Sequence, residues 1–445
     1  MKEMAAVILA AGQGVRMHSD IPKVLHNAAG KPLLSWVAKS AQAAGLSPIC
    51  LVVGHHAEQV IAAMPKGYLF GLQEEQLGTA HALRQGITAF DELPKTIMVL
   101  CGDTPLLRAE TLNELKAYFN NSGAACTVMT TVLETGGNYG RIIRGADDTL
   151  TAIVEAKEAN NEQLQIREIN SGVYCFDVAA LTSVIDDIDS NNTQGEYYLT
   201  DIVKAMNSRG LKVNAFICQD GEEIMGVNDR VQLAEAIRIL YQRKNRELML
   251  SGITMVDPGS VYIDAEVMIG PDTLIEPNVY ISGQTTIGSG CKIGPQVKIA
   301  DSVIGAECVI GPFAYIRPGS VLADRVKAGH FVEIKKSSIG RSSKVPHLSY
   351  IGDAIIGECV NVGCGTITCN YDGVDKHTTQ IDDNAFIGSN VNLIPPIKVG
   401  KNSTVAAGST ITSDVPENSL ALARASQINK EGWALTKDPR RKKKK

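Results

Sequence analysis

The sequence predicts two folds in tandem, a mostly parallel α/β sheet followed by a prism of hexapeptide repeats. Three observations carry this. Short apolar runs alternate with amphipathic helical stretches over the first half of the chain. One uninterrupted helical pattern follows at 229–250. Beyond it the apolar period changes to six: isoleucine occupies 263, 269, 275, 281, 287, 293 and 299.

The first half reads as strand, glycine-rich turn and helix in succession. Residues 5–11 form a buried strand that runs into Gly12-Gln13-Gly14. At 33–44 a helix buries Leu33, Leu34, Val37, Ala38 and Ala41 on one face. Further strands are expected at Ile49 to Val53, Ile97 to Leu100, Ala125 to Thr131 and Gly172 to Phe176, and the domain closes near residue 228. Short apolar strands of this kind are buried on both faces, which calls for helices on both sides of the sheet. Over 229–250, Asp229 can cap a helix. Val231, Leu233, Ala234, Ile237, Leu240, Tyr241, Leu248 and Leu250 supply its apolar positions.

Neither a helical period of 3.6 nor a strand period of 2 explains the period of six. One short strand and one turn per six residues does, and three such units close one triangular coil with each isoleucine pointing inward. A second rank precedes the isoleucines by two residues: Val261, Val267, Thr273, Val279, Thr285, Cys291 and Val297. The register slips to Ile304, Ile310, Ile316 and Leu322, and resumes at Ile387, Leu393, Val399, Val405 and Ile411. The breaks at about 335–350 and 366–384 are expected to be loops leaving a coil.

Composition excludes several classes. The 445 residues are 44% hydrophobic and 20% charged, an ordinary globular balance, with 41 glycines and only 5% aromatics. No stretch of 18 apolar residues offers a membrane span. The apolar run at 5–11 is too short for a signal peptide, so a cytoplasmic protein is expected. Ten dispersed cysteines without a CxxC pair argue against disulfides and structural zinc. The net charge of -5 includes a basic tail of Lys437, Arg440, Arg441 and Lys442 to Lys445. The acidic remainder argues against nucleic acid as the main partner.

Candidate chemistry clusters at two places. Around LAAGQGVRM, Gly12 and Gly14 allow backbone N–H groups close to phosphates, and Arg16 and Lys23 add charge. The same spacing also fits an ordinary tight turn. Asp103 ends a strand in GDTPL and Asn228 lies in GVND. In the second half the candidates are Arg317 (YIRPGS), Lys335 (HFVEIKKS), His347 and Tyr350 (HLSYIGD), Asn361 (NVGCGT), and Asn370 and Tyr371 (TITCNYDG), with His347 where the repeats are interrupted.

LAAGQGVRM with Pro22-Lys23-Val24-Leu25 resembles the signature of sugar-phosphate nucleotidyltransferases. With the hexapeptide prism, the chain to about residue 430 resembles the bacterial bifunctional N-acetylglucosamine-1-phosphate uridylyltransferase / glucosamine-1-phosphate N-acetyltransferase family. The resemblance implies an N-terminal nucleotidyltransferase domain (1–228), a linker helix (229–250) and a C-terminal left-handed parallel β-helix with a C-terminal extension (251–445). It implies that Arg16 and Lys23 act on the phosphates of UTP, beside Gly12, and that Gln73, Gln76, Gly78 and Thr79 recognise uracil. Asp103 and Asn228 would hold Mg²⁺, and Gly140, Glu155 and Asn170 the amino sugar.

In the second half, the resemblance makes His347 the general base of acetyl transfer. Arg317 and Lys335 would bind the sugar phosphate, and Tyr350 and Asn361 the amino sugar. Cys364, Asn370, Tyr371, Ser389, Ala407 and Arg424 would line the acetyl-CoA site, and Lys376 matches another binding lysine. The implied co-substrates are UTP and acetyl-CoA, the sugar substrates glucosamine 1-phosphate and N-acetylglucosamine 1-phosphate, and the assembly a homotrimer. Cys101 departs from the family, which has tyrosine before the GD pair, and Cys364 stands where alanine is common. The alternative is a single-activity nucleotidyltransferase carrying a structural or regulatory β-helix.

Overall fold

The structure is a computed structural model and describes residues 4–437. The tail from residue 438 lies outside the described residues, so the expectation for the basic cluster has no structural counterpart. The chain divides into two compact units, one ending at Tyr241 and the other beginning at Gln242.

The first unit is built on a parallel sheet. Strand Ala5–Leu9 lies between Ile49–Val53 and Thr96–Cys101, parallel to both, and Leu69–Leu72 extends the edge. On the other side Glu168–Asp177 runs antiparallel between Thr96–Cys101 and Cys126–Val132, and Val213–Ile217 closes the sheet. Alternate side chains serve opposite faces. Val7, Val52 and Val99 pack with helices Thr79–Thr88, Val178–Val184 and Asp201–Ser208. Ile8, Leu51 and Leu100 pack with Leu33–Ala43 and Ala109–Ser122. The helix expected at 33–44 buries the five residues assigned to its inner face.

The long helix is Arg230–Leu250, and the Asp229 carboxylate accepts from the N–H groups of Val231 and Gln232, both at 2.9 Å. Leu233, Ala236, Ile239 and Leu240 pack on Met17, Leu33, Leu106 and Val227 of the first unit. Val231, Ala234 and Leu250, expected on the apolar stripe, are exposed instead. At the far end, Leu248 joins the core of the second unit, and Asn245 Nδ2 donates to the carbonyls of Pro258 and Val261 at 2.9 and 2.8 Å.

The second unit has three parallel sheets, each taking every third strand, as in the left-handed parallel β-helix expected of hexapeptide repeats. Ile263 pairs with Ile281 and Ile281 with Ile299, so one coil advances 18 positions. From there coils of 17 appear: Ile287 pairs with Ile304, Ile299 with Ile316 and Ile334 with Ile351. The slip seen in the sequence is therefore one turn shortened by a residue, with the inward column unbroken. No loop leaves the coil at 335–350, contrary to expectation. Strands Glu333–Lys335, Ser338–Ile339, Lys344–His347 and Tyr350–Gly352 all stay in register, and Ala328 and Val345 fill rungs where isoleucine is missing. The second interruption is a loop over 369–378, and partner positions there jump from Val362 to Ile387.

Each inward isoleucine contributes about 1.5–3 kcal/mol by burial. Ile316 is fully buried between Ile299 and Ile334. Ile316→Ala is expected to destabilise the second unit by about 2–5 kcal/mol, read as a lowered midpoint in denaturant unfolding, while an exposed control such as Val309→Ala stays within about 1 kcal/mol.

Candidate active sites

In the first unit the candidate residues gather at the carboxyl ends of the parallel strands, where a sheet of this type opens a crevice. A cavity of about 440 Å³ is lined by Gly12, Gln13, Lys23, Gln73, Gln76, Gly78, Thr79, Cys101 and Asp103. Gly14 holds φ 66°, and a Cβ there would lie 2.6 Å from the Lys23 Cβ. Only glycine lets the turn cross the lysine stem at this distance.

Lys23 Nζ donates to Asp103 Oδ2 and, at 3.2 Å, to Asn228 Oδ1. The Val227 N–H donates to the Asp103 carbonyl at 2.9 Å, which ties the two segments together across 124 positions of sequence (103 to 227). Two oxygens from distant segments thus converge on one positive centre. That arrangement fits a bound cation, with the ammonium standing where a metal ion would be shared. Among the described residues no group of three His, Cys, Asp or Glu side chains could hold a metal. A cation here would take its remaining ligands from phosphate or water, which suits a hard, oxygen-preferring ion.

Gln73 is buried, with its Nε2 3.1 Å from the Gly78 carbonyl and 3.1 Å from His81 Nδ1. Gln76 Nε2 donates to the Gln73 carbonyl at 3.1 Å, and Thr79 Oγ1 accepts from the Leu199 N–H at 2.9 Å. This wall is preorganised by its own hydrogen bonds. A second cavity of about 190 Å³ shares Cys101 and Asp103 with the first and adds Asn138, Gly140, Glu155, Asn170 and Asn228. The Asn170 N–H donates to the Gly140 carbonyl at 2.9 Å. Burial raises the Glu155 carboxyl above the ordinary range, against a hydrogen bond from Thr200 Oγ1 at 3.0 Å, and Asp201 and Glu158 add to the rise. Arg16 is exposed and lines neither of these spaces. It borders a third cavity of about 470 Å³ with Asn138, Glu155 and Lys157.

In the second unit two constellations form. Arg317 donates to Glu333 Oε1 at 2.7 Å. Lys335 Nζ stands 3.6 Å from Asp353 Oδ2, which also accepts from Asn370 Nδ2. Lys376, across the loop, is close enough to Lys335 that the second ammonium lowers its pKa. Tyr350 lies on the neighbouring strand, in register with Glu333. Tyr371 is exposed on the same loop, its hydroxyl donating to the Gly373 carbonyl at 2.6 Å. Asp353 and Glu333 were not singled out from the sequence, although YIGD carries the same Gly-Asp pair as the first unit.

The other constellation runs along one corner of the prism. His330 and His347 pair in register, with ring centroids 5.6 Å apart and planes 17° from parallel. Lys344 pairs with Asn361, which puts Cys364 at the position of His347 one coil on. The Asn390 N–H donates to the Cys364 carbonyl at 2.7 Å and the Gly408 N–H to the Ser389 carbonyl at 2.8 Å, so Cys364, Ser389 and Ala407 follow on successive coils. Arg424 Cδ lies 3.7 Å from a Cβ built on Gly408. His330, one coil earlier, is the stacked neighbour of His347.

A nucleotide-transfer crevice in one unit and a hexapeptide-repeat coil in the other define a two-part transferase. The model of the MobA-like NTP transferase domain matches residues 6–163, that of the GMPPB C-terminal domain 253–339, and that of the bacterial transferase hexapeptide (six repeats) 378–413. Relatives called bifunctional protein GlmU match nearly end to end. That of Pelobacter propionicus is 48% identical over 98% of this chain and 99% of its own length. Those of Trichlorobacter lovleyi (49%, 97% and 98%) and Carboxydothermus hydrogenoformans (48%, 97% and 100%) are alike. The chain belongs to the GlmU family of bifunctional proteins, and is an enzyme with nucleotidyltransferase and acetyltransferase activity. The single-activity alternative is not favoured. Among the described residues no helix is long and apolar enough to cross a membrane.

Desolvation, reinforced by the Asp103 carboxylate, pushes the Cys101 thiol up to about 12. A thiol this weakly acidic holds almost no thiolate near neutrality. At pH 8 iodoacetamide is expected to modify the exposed Cys359 in the native protein and to leave Cys101 unmodified until denaturant is added, read by peptide mass mapping.

Proposed function

We propose that the second unit N-acetylates glucosamine 1-phosphate with acetyl-CoA, and that the first transfers uridylyl from UTP to the resulting N-acetylglucosamine 1-phosphate, giving UDP-N-acetylglucosamine and pyrophosphate. The observation that carries this reading is the Lys23 ammonium standing between Asp103 and Asn228 in the wall shared by two cavities, one large enough for a nucleotide's base and sugar and one for a sugar. The corner of stacked histidines and small residues supports the second activity.

Both reactants of uridylyl transfer are anions. Arg16 and Lys23 offset their repulsion, and the Gly12 turn offers backbone N–H groups to phosphate oxygens. Asp103 and Asn228 are the residues that would hold Mg²⁺. Bound there, the ion would neutralise phosphate charge and polarise the reacting phosphoryl group. Gln73, Gln76, Gly78 and Thr79 form the wall assigned to uracil, and Gly140, Glu155 and Asn170 the wall assigned to the amino sugar. The sugar phosphate is already nucleophilic, so no general base is required.

Acetyl transfer needs a neutral amine. His347 takes the proton from glucosamine, a task that suits an imidazole near neutral pH. Arg317 and Lys335 hold the sugar phosphate, while Tyr350 and Asn361 orient the sugar. Cys364, Asn370, Tyr371, Lys376, Ser389, Ala407 and Arg424 line the acetyl-CoA site, where Cys364 serves as a small side chain and direct amine attack needs no acyl-cysteine. The same reading includes a homotrimer, with each acetyltransferase site completed by a neighbour. The functional boundaries are 1–228 and 251–445 with the helix between them, and the setting is cytoplasmic.

The test is a coupled assay with UTP, acetyl-CoA, glucosamine 1-phosphate and Mg²⁺, with mass analysis of both sugar products. Absence of the acetylated sugar sinks the second activity, and absence of the UDP-sugar the first. Asp103→Ala is expected to lower uridylylation at least about 100-fold and to leave acetylation within twofold. Equal loss of both in a folded variant would count against the metal assignment. His347→Ala is expected to lower the acetyltransferase kcat about 10²- to 10⁴-fold with uridylylation of supplied N-acetylglucosamine 1-phosphate retained. A normal kcat removes His347 as the base.

A further inference from the structure

We propose that Arg141 is a positioning residue for the sugar cavity of the first unit, fixing the loop 136–140 so that its backbone amides serve the acceptor sugar. The proposal rests on the assignment of that cavity to N-acetylglucosamine 1-phosphate.

Arg141 is only 2% exposed, yet no ion pair with a carboxylate is present for it among the described residues. Its guanidinium is spent on backbone. Nη1 donates to the carbonyls of Gly136, at 3.0 Å, and Tyr139, and Nη2 donates to that of Gly137 at 2.9 Å. A buried guanidinium is costly unless its donors are satisfied, and here Nη1 and Nη2 gather three carbonyls from one five-residue loop while the buried Nε has no partner among the described residues. Gly136 makes room for it, since a Cβ there would lie 2.5 Å from the Arg141 Cζ.

The consequence follows from peptide planarity. In a trans peptide the carbonyl and the next N–H point to opposite sides. Holding the Gly137 and Tyr139 carbonyls toward the guanidinium turns the N–H groups of Asn138 and Gly140 away from it. Both residues line the 190 Å³ cavity with Asp103, Asn170 and Asn228. The loop is also tied to the cation-binding segment, because the Gly226 N–H donates to the Tyr139 hydroxyl at 3.4 Å. One buried side chain thus sets the direction of two amides, suited to hydroxyl or amide oxygens of a sugar, without touching the substrate.

The test uses full-length Arg141→Met, Arg141→Lys and Gly136→Ala, with acetylation by the same chain as an internal measure of folded enzyme. In Arg141→Met the KM for N-acetylglucosamine 1-phosphate is expected to rise at least about tenfold, the size of one lost charge-assisted hydrogen bond, with the KM for UTP and the acetyltransferase rate within twofold. Arg141→Lys, which keeps the charge but not the fork, should fall between. Gly136→Ala, which displaces the guanidinium without removing it, should reproduce the sugar effect. An unchanged sugar KM in the folded Lys and Ala variants overturns the proposal, and so does an equal rise in the KM values for sugar and UTP. If Arg141→Met does not fold, the Lys and Ala variants decide. Failure of the wild type to use N-acetylglucosamine 1-phosphate overturns the cavity assignment, and the proposal with it; the variant-to-wild-type ratio tests Arg141 alone.

Discussion

The register of the coils is the constraint on which the second unit depends. Inward residues stack as Ile263, Ile281, Ile299, Ile316, Ile334 and Ile351, each paired in parallel with the next. An inward column that holds its register forces the outward residues into columns as well, because side chains alternate along each short strand. His330 over His347 is one result, and Glu333 beside Tyr350 another. A one-residue slip between coils would turn every outward group inward. The structure avoids this by shortening a turn and never a strand, which is why coils of 17 and 18 coexist.

The first unit meets a different problem with a different device. Its site must accept two anions beside a carboxylate. The Asp103 and Asn228 oxygens share the Lys23 ammonium, and no group of three His, Cys, Asp or Glu side chains that could hold a metal gathers among the described residues, which on the proposed reading limits the negative charge a phosphate meets. Glu155 stands in the adjoining space, where burial, with Asp201, Glu158 and Glu196 nearby, raises its carboxyl above the ordinary range against the hydrogen bond from Thr200.

Much of this was legible in the residues. Strand Ile49–Val53 and helix Leu33–Ala43 follow from apolar runs and a one-sided stripe, since their surroundings are set by near neighbours. The period of six was legible because one core rung repeats it. The reading failed at 335–350, where Val345, like Ala328 one coil earlier, replaces isoleucine and shortened coils break a strict count. A periodicity test sees a missing isoleucine as a loop, whereas the coil needs only a residue small and apolar enough to face inward. Val231 and Leu250 failed for another reason: they lie off the buried face of the helix, which packs through Leu233, Ala236 and Ile239 and, further on, Leu248. Asp353 and Arg141 were invisible because their meaning lies in what they touch, an ammonium and an amide in one case and three carbonyls in the other.

The two sites therefore differ in what keeps them rigid. On the prism, outward groups inherit their order from the core, so a core rung far from the chemistry still aligns the histidines. Around the sheet, the groups sit on loops, and each loop needs its own anchor. Gly14 against Lys23 is one anchor, the Val227 to Asp103 backbone bond a second, and the Arg141 fork a third. Loops tied at such points are precise at the tie, and Asn138, exposed between Gly137 and Tyr139, is held through the carbonyls that flank it. That division suits the substrates. The crevice must admit a nucleotide and release pyrophosphate, which asks for walls that can shift. On the proposed reading the coil holds a long acyl carrier along one corner, which asks for a straight edge.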